Sequence, residues 1–179
     1  EESIETLKKL GRYLQEIPFD VIYSSDLSRA ITSAQIIQSQ LKDSCPLQET
    51  PLLREWQLGK LEGAKFATLK AIYPEQMNAL RSNLAKFDST MFGAESVYQT
   101  TQRTINFVKS LQDQDFDHVL IVGHGANLTA SIQTLLGYDV PLLRKDGGLA
   151  NASVTVLETS DFENFNLIVW NDTSYQDNN

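Results

Sequence analysis

The sequence predicts an α/β fold built around a largely parallel sheet. Two short runs of apolar and β-branched residues, at positions 20–23 and 118–122, indicate buried strands. Each run is followed by a segment whose apolar residues recur every three or four positions, as in an amphipathic helix. Strands that alternate with helices usually pair in parallel, because a parallel connection needs a crossover. With 179 residues the chain has ordinary domain length and can bury about two-thirds of its unfolded surface.

The first part of the chain predicts a helix, a strand and a second helix. Apolar residues spaced from Ile4 to Ile17 describe one face of a helix that ends at Pro18. After the first strand, Ser25 is well placed to cap the next helix, whose apolar face extends from Leu27 to Leu41. The segment KDSCP, residues 42–46, then predicts a loop.

The middle of the chain has a less regular pattern. Residues 51–63 contain turn glycines and no clear period, which predicts an extended loop. Residues 64–113 are predicted to be mostly helical, with interruptions near Pro74 and at residues 91–93. The last helix of this region is predicted over residues 94–111.

The final third predicts one helix and two more strands. A turn with two glycines follows the strand at 118–122 and leads into a helix with apolar residues from Leu128 to Leu136. The segments SVTVLE, residues 153–158, and FNLIVW, residues 165–170, have no helix between them and predict an antiparallel pair at the sheet edge. We expect the tail, residues 171–179, to be loosely held.

Composition excludes several classes of function. The net charge of −8 disfavours binding to nucleic acid or anionic lipid, so a bound anion must be held by a local cluster of groups. Cys45 is the single cysteine, which excludes an intrachain disulfide and a multi-cysteine zinc site and favours a reducing compartment. The chain has neither an apolar run near the roughly 18 residues of a membrane span nor a basic-then-apolar leader. We therefore predict a cytoplasmic protein that binds neither membrane nor nucleic acid.

Arg29 is the first candidate for a functional residue. Ligands of parallel sheets bind beyond the carboxyl ends of the strands, and SSDLSRA and GHGAN both follow predicted strands. Arg29 lies in the first helical turn, where a cation opposes the helix dipole but where free N–H groups favour an anion. The position of Arg29 is explained if its guanidinium and the N-terminus of the helix bind the same phosphate. The alternative is a surface arginine that pairs with Asp26 or another carboxylate.

His124 and Glu55 are the other candidates. Gly123 and Gly125 flank His124, so its backbone can turn sharply and approach a ligand, and an imidazole can bind a phosphoryl oxygen or transfer a proton. The alternative is a packed histidine in a turn that needs glycine. Glu55 lies in a segment without helix or strand periodicity and adjoins Trp56. A carboxyl group that an aromatic side chain partly shields from water can donate a proton to a leaving group. The spacing alone does not favour Glu55 over Glu62, and His118, which only opens a strand, is expected to be structural.

Taken together, these segments resemble the histidine phosphatase superfamily, which has the phosphoglycerate-mutase-like fold. The resemblance covers residues 1–172 and includes SSDLSRAITSA, LREWQLGKLEG, VLIVGHG, GAES, GLANASVTVLE and a closing WND. It implies a three-layer sandwich with a mostly parallel central sheet, an antiparallel edge strand and helices on both faces. It also implies that Arg29, His124 and Gly125 bind the phosphoryl group, that Glu55 is the proton donor, and that no metal or cofactor takes part.

One part of the family pattern is missing from the chain. The family's nucleophile is a histidine in an Arg-His-Gly motif at the end of the first strand, and this sequence contains no such motif. Either the natural protein has a preceding segment, so that residues 1–179 are a single but incomplete domain, or the domain has lost covalent chemistry. The favoured function is hydrolysis of a small phosphomonoester through a phosphohistidine, and the chain alone is expected to be inactive. The alternatives are a non-catalytic phosphate-ligand binder and a phosphoglycerate mutase, although the segment between Gly63 and Gly93 lacks the basic, proline-rich stretch of the mutases.

Overall fold

The structure is a computed structural model that describes residues 3–177. Within this range the chain forms five strands and six α-helices joined by turns, longer loops and short 3-10 helices. The strands are β1 (Val21–Ser25), β2 (Leu47–Thr50), β3 (Val119–Val122), β4 (Val154–Glu158) and β5 (Asn166–Asp172). The helices are α1 (Ile4–Tyr13), α2 (Ser28–Gln40), α3 (Phe66–Ile72), α4 (Pro74–Ser82), α5 (Val97–Ser110) and α6 (Gly125–Leu135). No helix among the described residues is long and apolar enough to cross a membrane.

The strand β1 is the centre of a three-stranded parallel sheet with the order β2-β1-β3. Tyr23 is in register with Gln48 of β2 and with Ile121 of β3. The predicted parallel pairing is therefore confirmed. The sequence analysis assigned no element to residues 47–50, because the edge strand β2 carries one apolar residue, Leu47, and buries none of its side chains fully.

Helices cover both faces of this sheet. Neighbouring residues of a strand point to opposite faces, and β1 follows this rule. Ile22 is buried against Ala34 of α2 and against Cys45. Tyr23 packs edge-to-face against Phe107 of α5, with ring centroids 4.9 Å apart. The helix α1 packs on α2, and α6 packs on α5, so the predicted three-layer α/β architecture is confirmed.

Some predicted helix ends were wrong. The helix α1 ends at Tyr13, before the predicted end at Pro18. The prediction was too long because Leu14, in the turn after the helix, is also buried and continues the apolar pattern. Ser25 does not cap α2: it is the last residue of β1, and Leu27 occupies the N-cap position without a side-chain hydrogen bond. The helix α5 starts at Val97, three residues later than expected, because Ser96 and Gln99 form a capping box at its start.

The last two strands pair with each other in the antiparallel sense that the sequence predicted. Within the described residues they form a separate two-stranded sheet. The prediction of a loosely held tail was wrong for residues 171 and 172, which belong to β5. It was also wrong for residues 174–177, because Tyr175 is buried and its hydroxyl donates a hydrogen bond to the carbonyl of Ala152. Residues 178 and 179, the end of that tail, and residues 1 and 2 lie outside the described range.

Candidate active site

The three predicted site residues follow the carboxyl ends of the three parallel strands. Arg29 lies in the first turn of α2 after β1, and His124 is the N-cap residue of α6 after β3. Glu55 lies in the loop after β2. Since parallel strands end at the same edge of a sheet, the topology brings three distant parts of the sequence to one crevice.

Arg29 and His124 lie side by side, as the sequence analysis predicted. Arg29 Nη2 is 3.5 Å from His124 Nδ1. No carboxylate among residues 3–177 lies within 4.0 Å of the Arg29 guanidinium. Asp26 instead binds Arg54 through two hydrogen bonds of 2.7 Å, so the alternative in which Arg29 pairs with Asp26 is wrong. The positive charge of Arg29 is therefore available to an anion.

His124 is buried and its imidazole is held from two sides. Its Nε2 lies 2.9 Å from the hydroxyl oxygen of Ser25, while Nδ1 faces Arg29. Burial lowers the pKa of His124; the Glu55 carboxylate opposes this shift, and the charges of Arg29 and Arg103 add to it. The neutral form of the imidazole is thereby favoured. Sequence reasoning missed Ser25, because it assigned this hydroxyl to a helix cap.

The glycines beside His124 are not required for a left-handed backbone. Neither Gly123 nor Gly125 has a positive φ, so the alternative in which this turn needs glycine for its dihedrals is wrong, while the close approach to a ligand stays a prediction. Gly125 is the first residue of α6. At Gly123 an added Cβ would lie 3.1 Å from Leu128 Cδ1, so this glycine allows the leucine of α6 to pack closely on the turn. His124 itself has an extended backbone, with φ −129° and ψ 146°.

Glu55 is connected to the same helix start. Its Oε1 accepts hydrogen bonds from the backbone N–H groups of Trp56, at 2.8 Å, and Asn127, at 2.7 Å. Its Oε2 accepts one from the N–H of Ala126, at 3.1 Å. The carboxylate thus joins the loop after β2 to the first turn of α6, directly after His124. Glu62, which the spacing could not exclude, binds the N–H of Leu58 within its own loop.

Arg103 of α5 holds the Glu55 loop in place. It donates hydrogen bonds to the carbonyls of Leu52, Arg54 and Glu55 at 2.7 to 3.0 Å and pairs with both carboxylate oxygens of Glu95. Burial raises the pKa of Glu95, but the hydrogen bonds from Arg103 and from the N–H of Gln57 outweigh it and leave this pKa below its ordinary value. Sequence reasoning missed Arg103. The available signal was its position between the buried residues of α5, where a cation needs a partner.

The burial of His124 predicts a loss of stability at acidic pH. Its pKa in the folded protein lies below the value of 6.5 expected in the unfolded chain, so the unfolded state binds more protons between these two pKa values. The free energy of unfolding therefore decreases as the pH falls through this window. We expect the decrease in Tm between pH 7.5 and 5.5 to be smaller in His124→Gln than in the unmutated protein.

His118 provides the control for this measurement. It is exposed at the opposite end of β3, beside Asp20, which accepts its backbone N–H at 2.9 Å. His118→Gln should retain the full decrease in Tm. If His124→Gln shows the same decrease as the unmutated protein, burial of the imidazole does not contribute to the pH dependence.

Comparison with known proteins identifies the family. The model of the "Histidine phosphatase superfamily (branch 1)" matches residues 1–173. Phosphoglycerate mutase-like protein 4 of Arabidopsis thaliana is 30% identical over 165 residues, which cover 92% of this chain and 69% of that protein. A 2,3-bisphosphoglycerate-dependent phosphoglycerate mutase of Cytophaga hutchinsonii is 32% identical over 129 residues, covering 70% of this chain and 59% of the relative.

A solved structure supports the same assignment. The mycobacterial glucosyl-3-phosphoglycerate phosphatase in complex with VO3 superimposes with a TM-score of 0.82 at 27% identity, covering 96% of this chain and 85% of that one. Both the family resemblance and the fold expected from the sequence are thus confirmed. The chain belongs to the histidine phosphatase superfamily, as an enzyme of its phosphoglycerate mutase family.

Proposed function

We propose that this protein hydrolyses small phosphomonoesters through a phosphohistidine intermediate, and that residues 1–179 are the part of one domain that binds the phosphoryl group and protonates the leaving group. The observation that carries the proposal is the guanidinium of Arg29, which has no carboxylate within 4.0 Å among residues 3–177 and lies 3.5 Å from the buried imidazole of His124. Both groups lie at the sheet edge where Glu55 is fixed by three backbone N–H groups. A phosphoryl group carries the charge and the acceptor oxygens that this cluster can bind.

Each residue has a separate role in the proposed reaction. A histidine nitrogen attacks phosphorus while the bond from phosphorus to the alcohol oxygen breaks, and Glu55 donates its proton to that oxygen. Arg29 and His124 stabilise the equatorial phosphoryl oxygens, and Gly125 contributes the helix start beside them. Water then attacks the phosphorus of the phosphohistidine, its proton passes to the Glu55 carboxylate, the phosphorus–nitrogen bond breaks to regenerate the free histidine, and inorganic phosphate leaves.

The nucleophilic histidine is proposed to come from a strand outside the 179 residues. Within residues 3–177, β3 pairs only with β1, and all four of its apolar residues remain partly exposed. In β1, by contrast, four of five residues are buried. An open apolar edge is a liability in a sheet. This supports a further strand alongside β3, whose carboxyl end would place a histidine beside Arg29 and His124.

Hydrolysis is proposed in preference to mutase activity. The segment between Gly63 and Gly93 folds as the short helices α3 and α4 and two short turns, and it contains the single proline Pro74. It therefore offers little room for a second substrate-binding arm. We also propose a cytoplasmic location, supported by the single cysteine, Cys45, which is a free thiol.

The test uses the complete reading frame that encodes this chain. We expect release of inorganic phosphate from some members of a panel of phosphomonoesters, independent of added 2,3-bisphosphoglycerate. Rapid acid-free quenching should trap phosphate on a histidine of the protein. Interconversion of phosphoglycerates that needs the bisphosphate would identify a mutase. Phosphate binding without turnover, from a reading frame that encodes no upstream Arg-His-Gly, would identify a non-catalytic binder.

A further inference from the structure

The hydroxyl of Ser25 lies directly against the imidazole of His124. Ser24 of β1 is in register with Val122 of β3, so Ser25 is level with the turn that carries His124. The distance from Ser25 Oγ to His124 Nε2 is 2.9 Å, and both residues are buried. This contact is therefore a hydrogen bond of ordinary length, shielded from water.

The partners of Ser25 indicate which atom donates in this hydrogen bond. A serine hydroxyl has one proton to donate and two lone pairs that accept. Ser25 Oγ accepts the backbone N–H of Leu27 at 3.3 Å, and its other partner among residues 3–177 is His124 Nε2. If Nε2 carried a proton, the buried hydroxyl proton would have no acceptor within the described residues. Since a buried donor without an acceptor is costly, the hydroxyl of Ser25 is expected to donate to an unprotonated Nε2.

The other ring nitrogen of His124 faces Arg29, which can only donate. Arg29 Nη2 lies 3.5 Å from Nδ1, a distance at which a hydrogen bond is weak. The 2.9 Å contact with Ser25 is therefore the stronger influence on the position of the ring proton. A neutral imidazole that accepts at Nε2 carries its proton on Nδ1. The side chain of Arg29 is exposed, so this proton lies on the side of the ring that an anion can approach.

Two N–H donors then lie side by side without an acceptor between them. Because Arg29 Nη2 and His124 Nδ1 are 3.5 Å apart, a single oxygen can lie at the usual distance of about 2.9 Å from both. An anionic phosphoryl oxygen suits this position best, because the guanidinium charge strengthens the hydrogen bonds to it. With the proton on Nε2 instead, Nδ1 would present a lone pair to that oxygen and would repel it.

We propose that Ser25 is a positioning residue, whose hydroxyl donates to His124 Nε2 and thereby holds the imidazole proton on Nδ1, directed at the phosphoryl oxygen that Arg29 also binds. This inference rests on the proposed function and adds a residue to it. Ser25 acts only through His124 and does not touch the substrate. The hydrogen bond fixes the tautomer before the ester binds, so the donor is already in place when charge develops on the phosphoryl oxygens.

The first test is nitrogen-15 NMR of the histidine rings in the full-length protein. Protonated and unprotonated ring nitrogens have well separated chemical shifts, and His124→Gln and His118→Gln assign the signals. We expect Nδ1 of His124 to be protonated and Nε2 to be unprotonated at pH 7.5. In Ser25→Ala the proton should move to Nε2, because Nδ1 can then accept from Arg29, while the signals of the exposed His118 stay unchanged. A proton on Nε2 in the unmutated protein would show that the proposed role of Ser25 is wrong.

The second test is steady-state kinetics with a matched control from the same strand. Ser25→Ala should lower kcat/KM about tenfold to a hundredfold, the range typical of residues that orient a histidine from behind. Ser24 is equally buried, but its hydroxyl donates to the carbonyl of Ser25, so Ser24→Ala should stay within about threefold of the unmutated protein. Equal losses in the two variants would assign Ser25 to the stability of β1 alone.

Two conservative variants separate the hydroxyl from the fold. Ser25→Thr keeps the hydroxyl and should keep the proton of His124 on Nδ1, even if the added methyl group lowers the Tm. If Ser25→Ala does not fold, Ser25→Cys replaces it in both tests, because a thiol is only a weak donor. A proton that stays on Nδ1 in Ser25→Ala or Ser25→Cys would show that Ser25 does not set the tautomer.

Failure of the proposed function gives a different result. If no ester is hydrolysed, the Kd of inorganic phosphate can be measured by titration calorimetry on the same proteins. A tenfold loss of phosphate affinity in Ser25→Ala, absent from Ser24→Ala and accompanied by the move of the proton to Nε2, would then support the role of Ser25 while rejecting the hydrolase. Equal phosphate affinities in all variants would reject the role of Ser25 as well.

Discussion

Replacing Arg29 by alanine is expected to lower kcat/KM of the full-length enzyme by about a hundredfold to a thousandfold, the loss typical of one removed transition-state donor. The guanidinium has no carboxylate partner among the described residues and lies 3.5 Å from His124. Its charge is therefore not used for stability and is available to the phosphoryl oxygens. Charge on these oxygens must be balanced in a site where the buried His124 favours its neutral form. The measurement is steady-state kinetics on the best ester of the panel.

Two comparisons separate catalysis from folding in this experiment. The side chain of Arg29 is exposed, so Arg29→Ala should retain the Tm of the unmutated protein within about a degree or two. Arg29→Lys keeps the charge but loses the planar pair of donors, and an intermediate loss is expected. A decrease below about threefold in Arg29→Ala, less than one tenfold step in the barrier, would show that Arg29 is an ordinary surface residue.

The approach of Arg29 to His124 could be predicted from the sequence because it depends on simple topology. Both residues follow strands with clear apolar patterns, and neighbouring parallel strands end at one edge. The pattern is strong because β1 is covered on both faces, by Ala34 on one side and by Phe107 on the other. A strand that is buried on both faces can be located in the sequence by its run of apolar residues.

The position of Glu55 could not be predicted in the same way. It depends on β2, whose segment LQET has one apolar residue because the strand lies at the edge of the sheet. The loop after β2 is further fixed by side-chain contacts to backbone carbonyls, chiefly from Arg103. Such contacts join residues about fifty positions apart and leave no periodic signal. The neighbouring Trp56 gave a weak indication of a role for Glu55, and only the family resemblance favoured Glu55 over Glu62.

Polar side chains near strand ends were the least predictable from local patterns. A serine before a helix is typical of an N-cap, yet Ser25 continues β1 and binds His124 Nε2. The glycines around His124 predicted a sharp turn that approaches a ligand, and the structure adds a packing role for Gly123, which allows Leu128 to lie close to the turn. In both cases tertiary contacts give the residue a role that local propensity does not indicate.

Replacing Glu55 by glutamine is expected to slow hydrolysis of an alkyl phosphate by about a hundredfold to ten-thousandfold, and hydrolysis of an activated aryl phosphate such as p-nitrophenyl phosphate far less. A poor leaving alcohol needs a proton as it departs, whereas a nitrophenolate leaves without one. The measurement is kcat/KM for both esters under conditions in which the chemical step limits the rate. Glu62→Gln is the matched control, since Glu62 binds only within its own loop among the contacts described.

The comparison of two esters is needed because Glu55 also supports the fold. Glutamine keeps one carbonyl oxygen, which can still accept the N–H groups of Trp56 and Asn127, but its amide nitrogen would face the N–H of Ala126. An N–H group left without an acceptor costs about 1 to 3 kcal/mol, so some loss of stability is expected in Glu55→Gln. A disturbed site lowers activity on both esters together, whereas loss of the proton donor affects the alkyl ester selectively. Equal losses on the two esters would therefore assign Glu55 to positioning the start of α6 and would move the acid role to another carboxylate, with Glu95 the next to test despite its pairing with Arg103.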